Sequence, residues 1–126
     1  MTKEEKELLL KDFSSRLPYG VKVNNEIQGD FNIYGICENF VFGRTEVSHV
    51  DFDVEKIKPY LFPLSSMTEE QLVVYGDLCY AVIHSLAWDM QAALDELFDW
   101  LNKNHFDYRG LIEKGLAIEA PEGMYN

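Results

Sequence analysis

An α+β fold is predicted by the way hydrophobic periodicity changes along this chain. The expected architecture is a small bent antiparallel sheet or partial barrel over residues about 20–64, packed with an N-terminal helix and two helices in the C-terminal half. Apolar residues recur at helical spacing before residue 17, alternate with a period of two from 21 to 63, and return to helical spacing from 69 to 104. With 126 residues, 47% of them hydrophobic and 13% aromatic, the chain can form a single domain, 1–126, with one core that needs no disulfide staple.

The first helix is expected from Thr2 to Phe13. Thr2 and Glu5 have capping-box spacing, Leu8, Leu9 and Phe13 form an apolar stripe, and Pro18-Tyr19-Gly20 ends the helix before Leu17. Val21 and Val23 alternate with Lys22 and Asn24 as a half-buried strand, and Asn24-Asn25 offers a turn. Phe31, Ile33 and Gly35 continue the alternation, and Ile36 to Phe42 is a dense apolar run ending at Gly43. Glu46 to Phe52 makes a further strand, with Val50 and Phe52 on one face. Gly29, Gly35 and Gly43 suit a strongly bent sheet.

Asp53 to Lys58 reads as a helical turn closed by Pro59, and Pro59-Tyr60-Leu61-Phe62-Pro63 must be extended. Ser66 or Thr68 starts the next helix, with Glu69 or Gln71 in the reciprocal capping position. The proline-free run from Met67 to Asn104 is too long for one helix of a compact domain, so it divides into helices near 69–84 and 89–104. Leu72, Tyr75, Cys79, Val82 and Leu86 line the first, and Met90, Leu94, Leu97, Phe98 and Leu101 the second. Asp89, Asp95, Glu96 and Asp99 face water, with Asp89 as N-cap. Gly110 and Gly115 bracket a turn, and Leu116-Ala117-Ile118 returns to the sheet.

Charge narrows the partners. The net charge is −11, and residues 67–126 hold three basic against eleven acidic groups. An acidic field repels phosphate backbones, so direct nucleic-acid binding is not expected, whereas a basic protein surface is attracted. No run approaches the ~18 apolar residues of a membrane span, and the charged start, Met1-Thr2-Lys3-Glu4-Glu5-Lys6-Glu7, has no signal core. Cys37 and Cys79, each inside an apolar run, are expected as buried free thiols. Together these features point to the cytoplasm.

Candidate sites follow from the polar residues. His49, Asp51 and Asp53 alternate on one strand face, a pattern suited to metal binding or acid–base chemistry and equally to an exposed polar row. Cys79 and His84, five residues apart, diverge by roughly 140° on a helix and make a poor nucleophile pair. His105, Asp107 and Arg109 follow a helix end, where the dipole favours a cationic imidazole and Asp107 can pair with Arg109 or cap the turn at Gly110. Tyr60, Phe62, Trp88, Trp100, Phe106 and Tyr108 form an aromatic set. From these we take Tyr60, Phe62, Trp100, His105, Tyr108 and Arg109 as the candidate interaction surface. No phosphate loop, Gly-x-Ser-x-Gly elbow, Cys-x-x-Cys or His-Glu-x-x-His occurs, so no cofactor, metal or catalytic residue is assigned.

The wording of two segments, Lys58 to Glu70 and Asp99 to Tyr125, resembles a group of short uncharacterised proteins of phages, prophages and mobile elements of gut Bacteroides-type bacteria. The resemblance implies an intracellular bacterial or phage setting, with no activity attached. Three functions are therefore carried forward. The first is a non-enzymatic acidic protein-binding accessory or modulator, including mimicry of nucleic acid by spaced carboxylates. The second is a small enzyme built on His49, Asp51 and Asp53. The third is a structural subunit that self-associates through Tyr60 and Phe62.

Overall fold

The computed structural model describes residues 1–85 and 89–125. Leu86 and Trp88, assigned from the sequence to an apolar stripe and to the aromatic set, lie outside the described residues. Helix α1 (Lys3–Arg16) starts at the expected capping box, Thr2 Oγ1 accepting from Glu5 N–H while the Glu5 carboxylate accepts from Thr2 N–H. Proline then confines Leu17–Tyr19 to a 3₁₀ turn that leads into the sheet.

Strands β1 (Lys22–Asn25), β2 (Gly29–Cys37), β3 (Phe40–Arg44), β4 (His49–Asp53) and β5 (Lys58–Pro63) form the expected antiparallel portion, in the order β4-β3-β2-β1-β5. Two short strands extend it in parallel with β5, namely β6 (Phe106–Asp107) and β7 (Ile118–Glu119), so the whole sheet is mixed and open. Phe62 N–H donates to the His105 carbonyl, and the Leu61 carbonyl accepts from Ala120 N–H. Successive residues of a strand direct their polar groups to opposite edges, so β5 is joined on both sides.

Three local differences from the sequence reading have physical causes. Asn24 and Asn25 close β1 rather than forming the turn. The turn follows at 26–28, where Asn25 Oδ1 accepts from the Ile27 and Gln28 N–H groups and Gly29 takes φ +79°. The apolar run 36–42 spans a hairpin: Glu38, at φ +55°, and Asn39 separate β2 from β3. β4 begins at His49 because Thr45 to Ser48 is a hydroxyl-bonded turn. The bend of β2 comes from a register shift between Ile33 and Gly35. Gly43 faces the Phe31 ring so closely that a Cβ there would overlap it.

Two apolar clusters result. The larger joins Leu9 and Phe13 of α1 to Val21, Val23, Phe31, Ile33, Val41, Val54, Ile57 and Leu61 of the sheet region, closed by Leu111, Leu116 and Ala117. The smaller is Met67, Leu101 and Phe106, with Phe62, Tyr75, Leu97, Trp100 and Tyr108 partly buried around it. It receives the helical hairpin of α2 (Glu69–Ile83) and α3 (Met90–Lys103). Thr68 and Gln71 form the capping box of α2, whereas Asp89 occupies the N-cap position of α3 without a side-chain cap bond. No helix among the described residues is long and apolar enough to cross a membrane.

Candidate protein-interaction surface

The corner anticipated after α3 is an interior junction. Asp12 and Arg16, both fully buried on α1, pair through Arg16 Nε at 2.9 Å, and Arg16 Nη2 donates to the Phe106 carbonyl at 2.6 Å. The second Asp12 oxygen accepts from Arg109 Nε at 3.1 Å. Arg109 Nη2 donates to Ser15 Oγ and to the Tyr108 hydroxyl, which donates to Asn102 Oδ1. Both guanidinium groups lie over the Tyr108 ring, 5.2 and 4.8 Å from its centroid. One carboxylate thereby ties α1 to the segment after β6, and the Tyr108 hydroxyl carries the network on to Asn102 of α3. Of the two roles read for Asp107 the structure shows the second: it caps the following turn, accepting from Leu111 and Ile112 N–H, while Arg109 pairs with Asp12.

His105 is buried at φ +62° and stacks on Tyr125, with ring centroids 3.5 Å apart. The cationic imidazole expected from the helix dipole does not form. Burial, followed by the positive charges of Arg16 and Lys22, pushes its pKa down to about 4, so the ring is neutral near pH 7. Tyr125 donates its hydroxyl to the Tyr60 carbonyl at 2.7 Å and accepts from Lys22 N–H. Burial pushes that hydroxyl up to about 12. Tyr60 donates to Asp30, Phe62 packs against Phe106 and Tyr125, and Trp100 stacks between Tyr75 and Phe106. The structure thus brings Trp100, Tyr108 and Arg109 to one junction and His105, Phe62 and Tyr60 to the adjoining one, each half-buried or buried with an internal partner. A groove of about 310 Å³ opens beside the second, lined by Phe62, Thr68, Gln71, Lys103, His105 and Tyr125 among others.

The row His49, Asp51 and Asp53 does not converge. His49 is exposed against Tyr34, whose hydroxyl lies 3.2 Å from its Nδ1, and Asp51 is exposed. Asp53 caps the 3₁₀ turn at Val54–Lys56 and pairs with Lys6 at 3.5 Å. Among the described residues, no three His, Cys, Asp or Glu side chains come together to hold a metal. The His84 ring packs at a tilt against Tyr80, with centroids 4.0 Å apart. The cysteines are free, but neither is buried as expected. Cys37 is exposed because it immediately precedes the hairpin turn, and Cys79 is half-buried beside Tyr75.

The surface that the sequence reading missed is the outer side of α2. Its residues are strongly apolar, yet none is buried. The inner side is Tyr75, Leu78, Cys79 and Val82, half-buried toward α3, whereas Leu72, expected in one stripe with Tyr75, Cys79 and Val82, lies at its margin and is exposed. Leu72 (54% exposed), Val73 (64%), Tyr80 (64%) and Ile83 (75%) leave their side chains in solvent. At 100° per residue these four and Gly76 fall within an arc of roughly 100°. A signal was present, since apolar residues occupy two sides of this helix; that pattern ordinarily marks a helix buried all round. On α3, Asp95, Glu96 and Asp99 are exposed as expected, together with Met90 and Phe98, both expected in the covered apolar stripe.

No protein-family model matches the chain, and neither a curated protein nor a solved structure matches it.

Proposed function

We propose that this chain is a non-enzymatic protein-binding protein whose contact element is the α2–α3 hairpin. The observation that carries the reading is the 15-residue helix α2: with no buried residue, it presents an apolar stripe of Leu72, Val73, Tyr80 and Ile83 to solvent beyond its acidic first turn. Contiguous exposed apolar surface on a globular protein marks interaction sites. Burying a Leu, Val, Ile or Tyr side chain gains roughly 1.5–3 kcal/mol, so a four-residue stripe supplies a core for recognition. The carboxylates of Asp95, Glu96 and Asp99 leave a second, acidic face that suits a basic protein rather than nucleic acid. The resemblance to phage and mobile-element proteins supports a setting in the bacterial cytoplasm, where such a protein modulates other machinery.

The test is affinity capture from the host with the wild-type chain and with a Leu72→Ser/Tyr80→Ser/Ile83→Ser variant. The reading expects specific proteins, or further copies of the chain itself, to be retained by the wild type and lost by the variant at unchanged helical content. Equal retention by both would overturn it. The enzymatic alternative has one specific prediction, that His49→Ala/Asp51→Ala/Asp53→Ala abolishes function; the separate structural engagements of His49 and Asp53 favour the binding reading instead.

A further inference from the structure

Building on the binding role of the hairpin, we infer that the occupant of the α2 stripe is a second copy of this chain. The two α2 helices pack antiparallel about a two-fold axis at Gly76. Three observations lead there, the first being symmetry. A two-fold interface requires a patch complementary to itself, residue i meeting j while j meets i. Gly76 is the middle residue of Glu69–Ile83, with Leu72 four residues before it and Tyr80 four after. Antiparallel packing therefore sets Leu72 of each copy over Tyr80 of the other. It also brings Ile83 of one copy to the Glu69 end of the other, where the Glu69 and Glu70 carboxylates meet the negative end of the helix dipole, a contact that opposes the pair and that salt relieves.

The second observation is Gly76 itself. Glycine disfavours a helix interior relative to alanine. A Cβ built at Gly76 meets nothing within 4 Å, so no packing inside the chain calls for glycine. Close approach of another helix backbone does, and Gly76 lies at the centre of the stripe where that approach would occur.

Area is the third. Leu72, Val73, Tyr80 and Ile83 together expose on the order of 500 Å² per copy, so covering them completely in both copies removes on the order of 1,000 Å². Stable interfaces bury roughly 1,200–2,000 Å² in total, so the stripe alone falls just short of that range and fits a weak, reversible pair. Charge opposes the association without blocking it. Each copy carries −11, but Asp95, Glu96 and Asp99 occupy the exposed side of α3. Like-charged copies joined by an apolar face associate more tightly as salt rises, whereas a basic partner is released.

The experiment is sedimentation velocity on the full chain from about 1 µM to about 300 µM, a span that captures micromolar affinities, at low and high salt. The expected result is a species of twice the 14.6 kDa chain mass whose dissociation constant falls several-fold on adding salt. Tyr80→Glu/Ile83→Glu, at exposed positions, should sediment as a monomer with an unchanged far-ultraviolet spectrum. Gly76→Leu, which meets no intrachain obstacle, should also dissociate the pair. A wild-type monomer throughout, or a dimer indifferent to all these substitutions, overturns the inference. If the monomeric wild type still captures a different protein through α2, the binding role of the hairpin survives and only the second copy is wrong.

Discussion

Replacing Asp12 with alanine removes the carboxylate on which two arginines converge. Asp12 and Arg16 have 0% exposure, and Arg16 keeps only the Phe106 carbonyl as a hydrogen-bond partner once Asp12 is gone. Its Nη1 already lacks one among the described residues. Two charge-assisted hydrogen bonds are lost, each contributing about 1.5–3 kcal/mol, and a guanidinium stays buried without its counter-charge. Breaking a buried pair in this way costs about 3–5 kcal/mol, a large share of the roughly 5–15 kcal/mol that stabilises a domain. For a chain of this length about 1 kcal/mol corresponds to roughly 4 °C, so the midpoint should fall by about 12–20 °C. Urea titration followed by circular dichroism measures the loss directly. Arg109→Ala, which removes the 16%-exposed partner and leaves the Asp12–Arg16 bond, should lose less, about 1–2 kcal/mol. An Asp12→Ala variant within about 1 kcal/mol of wild type would show that the junction does not depend on that carboxylate.

Further outcomes follow from single residues. His105 titrates near 6.5 when unfolded and about 4 when folded, so the unfolded chain binds the extra proton first. The associated stability, up to about 3 kcal/mol, is complete above pH 6.5 and is lost as pH falls toward 4. His105→Asn, which tolerates positive φ, should remove that part of the acid sensitivity in melts across this range, and an identical pH slope in the two proteins would contradict it. Gly43→Ala forces the Phe31 ring to move and should destabilise by about 1–3 kcal/mol in the same titration. Thr68→Ala breaks the capping box of α2 and should lose about 1 kcal/mol, with amide exchange accelerating in the first turn of that helix.

The readable part of the sequence was local. Capping boxes at Thr2 and Thr68, the prolines around β5, and period-two alternation at Val21–Val23 and Val50–Phe52 act over a few residues, so helix limits and the antiparallel strands were legible. Long-range pairing was legible only in part. The return of Leu116–Ile118 to the sheet was expected and occurs as β7, but β6 and the parallel pairing of both strands with β5 were not, because they exist only where β5 offers free edges to Phe106 and Ile118, more than 40 residues away. The charge of His105 was misjudged for the same reason: helix-end electrostatics are visible in sequence, but its burial beneath Tyr125 beside Arg16 is not. Of the six residues proposed as a surface, Tyr60, Phe62, Trp100, His105, Tyr108 and Arg109 all have internal partners, since aromatic and charged side chains near a helix end serve a junction as readily as an interface. The apolar face of α2 went unread because sequence periodicity gives the number of apolar sides of a helix without indicating how many the fold will cover.

Cross-linking across the proposed axis asks whether the outer faces of α2 meet in solution. With Cys37 and Cys79 replaced by serine, Leu72→Cys/Tyr80→Cys places thiols that the axis sets opposite one another in the two copies, whereas Val74→Cys places one well round the helix. Disulfides form only when the Cα atoms approach within about 7 Å. Mild oxidation should convert Leu72→Cys/Tyr80→Cys rapidly into a reducible dimer and leave Val74→Cys monomeric. Equal or absent cross-linking in the two variants would show that the outer faces of α2 do not meet.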